Sequence, residues 1–276
     1  MTALATDRRF RFGLIAGPNQ SGTDWVALAR RAEALGYDTL LVPDTPDHGS
    51  PLPAAGIAAG ATTTLRVGTF VLVAPVRTPA SIARDAATLD RLTGGRFELG
   101  LGTGRPGSER LAALLGTELP PPAERVDRVA AAVRAVREQG DGPRILIAGA
   151  GSRILTLAGQ VADTVTFALP PSSDDAALAQ AVALVRDAAG DRFDRVELAT
   201  NLMAVGERPV PGLSEWLGGT PAELAAAGSI AVLVGSPTEM ADRLARRRDA
   251  VGASYVTLNA SAIDDLAPVV ERLAGA

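Results

Sequence analysis

The chain has 276 residues, 47% of them apolar, with 27 basic and 31 acidic residues and a formal net charge of −4. Cys is absent, every basic residue is Arg, and His48 is the one His. These counts exclude disulfides, thiolate metal ligands, lysine Schiff bases and His-rich zinc sites, and the acidic balance gives no general attraction to nucleic acid.

Residues 11–17 (RFGLIAG) read as a short apolar strand ended by Gly17-Pro18-Asn19. A helix capped by Thr23 or Asp24 then runs to Leu35, and Gly36 stops it. The same unit recurs along the chain. Strands are expected at 39–44, 66–74, 96–101, 144–148, 164–169, 196–205 and 255–259. The helices between them fall at 53–61, 79–92, 123–139, 152–162, 174–189, 221–227 and 237–251, and one at 264–273 closes the series. Residues 206–219 read as an irregular loop. Strands apolar on both faces and separated by helices belong to a parallel sheet covered by helices, hence an α/β fold. Eight such units predict a (β/α)₈ TIM barrel, taken as one domain over residues 1–276, with a doubly wound open sheet as the competing fold. The longest apolar stretch, residues 70–76, is too short to span a bilayer and nothing resembles a signal peptide. The expectation is a cytoplasmic protein with no membrane partner.

In a barrel, chemistry sits where the strands end, so the loops after the strands carry the candidate residues. Gly102-Thr103-Gly104-Arg105-Pro106-Gly107 has dinucleotide-fingerprint spacing, but Pro106 and the run 119–122 (LPPP) leave no immediate helix. Its glycines are read either as a flexible loop or as a strand end that lets a flat ring lie against backbone. Gly149-Ala150-Gly151-Ser152-Arg153 joins a buried strand to a helix start. Free amides, the Ser152 hydroxyl and the Arg153 guanidinium there make a phosphate cradle, or else a plain turn capped by Ser152. Asp44-Thr45-Pro46-Asp47-His48 sets two carboxylates near the imidazole, which suits proton transfer or an exposed turn. Thr78 and Pro79 read as N-cap and first turn, with Arg77 free to reach an anionic tail. Arg246-Arg247-Arg248 and Asp264-Asp265 read as solvated helix faces.

Taken together, GLIAG, ALGYDTLLVPD, the block from Thr64 to Gly104, RVDRVAAAVRAV, RILIAGAGSRILTLAGQVADTV and LVGSPTEMADRLARRRDAVGASYVTLN resemble the luciferase-like monooxygenase superfamily, in its coenzyme F420-dependent oxidoreductase branch. The resemblance implies a (β/α)₈ barrel holding a deazaflavin or flavin at its mouth. It places the phosphate on Gly149, Gly151, Ser152 and Arg153, beside Ala150, and the ring near Gly102 and Gly104, with a non-prolyl cis peptide near Thr69-Phe70. The Asp-His pair that relatives carry maps onto Asp44 and Thr45, and a catalytic Glu of some F420 relatives maps onto Arg105. His48, Asp44 and Glu109 are therefore the candidates for proton handling. The implied activity is hydride transfer between F420 and a small-molecule substrate. The alternatives are an FMN-dependent monooxygenase served by a partner reductase, and a non-catalytic ligand-binding barrel. The resemblance also implies a homodimer.

Overall fold

The computed structural model describes residues 8–19, 21–140, 142–208 and 217–276. In chain order the elements are β1 (Arg11–Ile15), α1 (Gly22–Ala34), β2 (Thr39–Val42), α2 (Pro51–Gly60), β3 (Arg66–Thr69), β4 (Leu72–Val73), α3 (Pro79–Leu92), β5 (Phe97–Gly102), α4 (Ser108–Leu114) and α5 (Pro122–Arg137). They continue with β6 (Arg144–Gly149), α6 (Ser152–Val161), β7 (Thr164–Phe167), α7 (Asp175–Ala189), β8 (Glu197–Leu202), β9 (Ala204–Val205), α8 (Pro221–Ala226), β10 (Val232–Leu233), α9 (Pro237–Val251), β11 (Ala253–Asn259) and α10 (Ile263–Leu273).

Every strand pairing is parallel. The order runs β3-β2-β1-β11-β8-β7-β6-β5-β4, and Val67 and Gly68 of β3 also pair with Phe97 and Glu98 of β5. That last pairing closes the sheet, so the fold is the eight-stranded (β/α)₈ barrel and not the open sheet. β3 and β4 are two pieces of one barrel strand, interrupted by a cis peptide between Phe70 and Val71.

Alternation along the strands divides the apolar residues into two layers. Phe12 and Leu14 of β1 and Leu40 and Val42 of β2 face outward into the shell under the helices. Leu41, Leu146, Ala199 and Tyr255 form a separate cluster, with Ile15, Phe70, Val71 and Ala148 packed against it. Near the first residues of the strands lies a charged layer. Arg11 bonds Glu98 at 2.6 Å and Glu197 at 2.9 Å, Arg66 bonds Glu98 at 2.5 Å, and the Arg11 guanidinium lies 4.6 Å from the centre of the Tyr255 ring. Gly13 makes room for it: a Cβ there would stand 2.8 Å from the Tyr255 hydroxyl, which is 2.6 Å from Thr39 Oγ1.

Several local expectations change. The cap of α1 is Ser21, whose hydroxyl accepts the Asp24 amide, not Thr23 or Asp24. Residues 108–114, expected as loop, form α4, because Leu111 and Ala112 bury one helical face against Val73 and Val76. The strand expected over 196–205 divides, since Ala204 and Val205 leave the barrel to pair with Val232 and Leu233. Arg247 is not solvated: it is 4% exposed and its Nε donates to Asp175 at 2.6 Å. Most of the loop expected at 206–219 lies outside the described residues. Among the described residues no helix is long and apolar enough to cross a membrane.

Candidate active site

A cavity of about 880 Å³ opens at the C-terminal ends of the strands. Its wall takes residues from the ends of β1, β2, β5, β6, β8 and β11, from the interrupted third strand and from the start of α5. This is the face where barrel loops, freed from the packing that fixes the strands, can present polar groups.

His48 lies on this wall, and its ring rests flat on the backbone at the end of β1. A Cβ on Gly17 would come within 2.5 Å of ring atoms Cγ and Nδ1, so only glycine leaves the imidazole in place. Nδ1 is 2.7 Å from Asn19 Oδ1. An Nδ1–H donating to that oxygen leaves Nε2 with the lone pair, the atom that can take a proton.

Neither neighbouring carboxylate serves His48. Asp44 accepts from Arg77 at 2.6 Å and 3.0 Å and from the Val73 amide at 3.0 Å. Asp47 accepts from Arg110 at 2.8 Å. Asp44 therefore positions the wall, and Arg77 is not free for an anionic tail as expected. Glu109 is exposed in the first turn of α4, accepts the Gly107 amide at 3.1 Å and is not part of the wall.

The expected ring platform is partly redrawn. Thr69 is fully buried; its hydroxyl donates to Gly100 O at 2.8 Å and accepts from Gly100 N at 2.9 Å, so it has no group to offer a ligand. Phe70 and Val71 line the cavity instead, and the cis bond falls between them, one bond later than expected. Across from them Gly102 admits Val71, since a Cβ would lie 2.6 Å from Val71 Cγ2. Gly104, also on the wall, has a φ of +85°, which side chains other than glycine adopt at a cost.

At the end of β6, Gly149, Ala150, Gly151 and Arg153 line the cavity. Gly149 is needed because Ile154, in the first turn of α6, occupies the space a Cβ would fill. Ser152 is the first helical residue and not the cap. The cap is Gly151, in extended conformation, and no side chain bonds the amides that follow. Gly151, Ser152 and Arg153 are exposed, so this helix start presents unpaired N–H groups to an incoming anion. Arg153 stands beside it, donating to Ala123 O at 2.9 Å and 3.4 Å from Asp127 Oδ1.

That first contact brings in residues which sequence reading passed over. It fixes the start of α5 against the α6 corner, so Pro122, Arg125 and Val126 join the wall. No motif marks them; the contact between the two helix starts is what places them there. Asn201 and Asn259, at neighbouring strand ends, supply two further amides, with Asn201 Oδ1 3.1 Å from Thr257 Oγ1. Among the described residues no group of acidic or imidazole side chains is placed to hold a metal.

The family model described as luciferase-like monooxygenase matches residues 9–208. The chain belongs to the luciferase-like monooxygenase family. An F420-dependent glucose-6-phosphate dehydrogenase of Nakamurella multipartita is 34% identical over 149 residues, 50% of this chain and 43% of that protein. The curated relatives are matched over only 33% to 48% of their own lengths. Two solved structures share the luciferase-like barrel. An F420-dependent secondary alcohol dehydrogenase with an F420-acetone adduct has a TM-score of 0.72 at 16% identity, covering 96% of this chain and 98% of that one. A riboflavin lyase with modified FMN has a TM-score of 0.73 at 17% identity, covering 98% and 93%.

Proposed function

We propose that this luciferase-like chain binds coenzyme F420 in the cavity and catalyses oxidoreduction between it and a small alcohol or carbonyl compound. The observation that carries the reading is the exposed, uncapped start of α6 on the cavity wall. Such a helix end offers N–H groups and the positive end of the helix dipole to a phosphate. The donor set suits a phosphodiester: the amides that follow Gly151, with the Arg153 guanidinium beside them and no carboxylate in the turn from Gly149 to Arg153. The apolar surface of Phe70, Val71 and Ala148 and the glycine backbone of Gly102 and Gly104 suit a flat ring.

Bound there, the deazaflavin supplies a two-electron hydride donor and acceptor. The chain has the remaining task of moving the proton. When an alcohol is oxidised, His48 Nε2 takes the hydroxyl proton as the carbonyl forms; in reduction it returns that proton to the oxygen. Asn19 keeps the imidazole in the tautomer that this requires, and Asp44 with Arg77 holds the end of the interrupted strand in the cavity wall.

A second reading, an FMN-dependent monooxygenase served by a reductase, draws on the likeness to the FMN-bound barrel. Titration of the purified protein with F420 and with FMN, followed by coenzyme fluorescence, separates the two. Tighter binding of F420 by tenfold or more is the expected result, and preference for FMN selects the second reading. Association of neither at millimolar concentration ends both.

A further inference from the structure

We infer that Arg105 is the specificity residue of this site and that the substrate carries an anionic group, a carboxylate or a phosphate, in addition to its alcohol or carbonyl. The inference rests on the proposed oxidoreductase reading for its reacting group, but the anion site stands on the cavity's own charges.

Among the described residues that line the cavity Asp44 is the only carboxylate, and the two-point pair with Arg77 neutralises it. Three guanidiniums line the same cavity, those of Arg105, Arg125 and Arg153. Two of them are engaged at the α5–α6 corner. Arg125 Nε donates to Pro120 O at 2.8 Å, and Arg153 donates to Ala123 O. The corner that would hold the coenzyme phosphate therefore already has its cations.

Arg105 differs in both place and partners. It follows β5, outside that corner. Among the described residues its guanidinium has no hydrogen-bond or ion-pair partner. Its backbone, by contrast, is fixed. The Arg105 amide donates to Ser108 Oγ at 2.9 Å, its carbonyl accepts from the Ser108 amide at 3.0 Å, and Gly104 and Gly107 on either side have φ of +85° and +89°. Such a turn holds a charged side chain at the rim at little further cost in backbone entropy. The loop is also tied to the one carrying His48, through the ion pair of Arg110 with Asp47 at 2.8 Å. A proton-handling imidazole and an unengaged guanidinium on adjoining loops suit one molecule with a hydroxyl or carbonyl at one end and an oxyanion at the other. Guanidinium binds carboxylate and phosphate through paired N–H groups, so either anion fits the chemistry.

The test is calorimetric titration of wild type, Arg105→Gln and Ser152→Pro with malonate and, separately, with inorganic phosphate, alongside F420 titration of wild type and Arg105→Gln. The expected result is that Arg105→Gln weakens binding of one or both anions about tenfold or more, while its F420 affinity stays within twofold of wild type. Malonate binding should be insensitive to Ser152→Pro. The preferred anion identifies which oxyanion the site accepts. Anion affinity indifferent to Arg105→Gln overturns the inference, as does a loss of F420 affinity in that variant, which would assign the guanidinium to the coenzyme. If wild type binds no F420 but its anion binding still depends on Arg105, the coenzyme reading falls and the anion site stands.

Discussion

Asp44 and Arg77 form a two-point ion pair across the interrupted third strand, with contacts of 2.6 and 3.0 Å and side chains 2% and 17% exposed. The same carboxylate accepts the amide of Val73, the second residue of β4, so one side chain fixes both the strand beyond the interruption and the entry to α3. Removing the cation leaves a buried charge without compensation, which costs about 3–5 kcal/mol. Arg77→Ala should therefore lower the melting temperature by about 5–9 °C. Asp44→Asn keeps an acceptor for Val73 and leaves a guanidinium that can turn to water, so its loss should be smaller. Thermal unfolding of both variants checks the order; equal or negligible shifts would remove the pair from its positioning role.

Much of this arrangement was legible from sequence where local chemistry and tertiary packing agree. Thr78-Pro79 starts α3 as expected, with Thr78 Oγ1 accepting the Ser81 amide, and Pro79–Leu92 matches the expected helix. Where partners lie far along the chain, the sequence was silent. Local sequence leaves Arg77 a free cation because its partner is 33 residues away. It gives no sign of α4 because Pro106 and Gly107 precede a helix whose buried face depends on Val73 and Val76. It leaves Arg247 solvated because its burial needs Asp175, 72 residues earlier. At the end of β6 glycine at a strand end reports close approach, and Gly149 does leave room for Ile154. The two carboxylates beside His48 in sequence turn to Arg77 and Arg110, because adjacency in sequence does not fix which way a side chain turns.

The contact of His48 with Gly17 gives a probe that leaves the imidazole itself intact. Gly17→Ala places a methyl group 2.5 Å from the ring, so the ring must move off Asn19. Both residues sit in loops at the rim, where displacement costs little stability. Turnover should fall by about 100-fold, approaching the 10²- to 10⁴-fold loss expected for His48→Ala, with coenzyme affinity and melting temperature nearly unchanged. Steady-state kinetics beside a coenzyme titration decide the matter: full activity in Gly17→Ala would take His48 out of the chemistry.

The phosphate corner can be tested by deleting one N–H group. Proline is well tolerated at the first position of a helix, and Gly151 before it already has the extended backbone that proline demands, with φ −74° and ψ 151°. Ser152→Pro should thus leave the fold intact while removing one amide from the anion site. A hydrogen bond to a charged group contributes about 1.5–3 kcal/mol, so F420 should bind about tenfold or more weakly. Unchanged affinity in a variant of normal thermal stability would place the coenzyme phosphate elsewhere.

The charged layer below the cavity sets the response to acid. Burial would push the Glu98 carboxyl up, but the Arg11 and Arg66 guanidiniums outweigh that and hold it below its ordinary value of 4.5. A carboxyl depressed in the folded state contributes stability that is fully present above its unfolded value and disappears as pH falls through its folded value. Glu98→Gln removes this contribution, but Arg11 keeps Glu197 and Arg66, 28% exposed, can turn to water, so at pH 7 the variant should be less stable by about 1.5–3 kcal/mol. As pH falls below about 4.5 the wild type loses the same contribution by protonation, and the variant has none to lose. The gap between their melting temperatures should therefore narrow on acidification. Parallel unfolding scans from pH 7 to pH 3 measure it; a gap that stays constant or widens would show that Glu98 is not the charged centre of the layer.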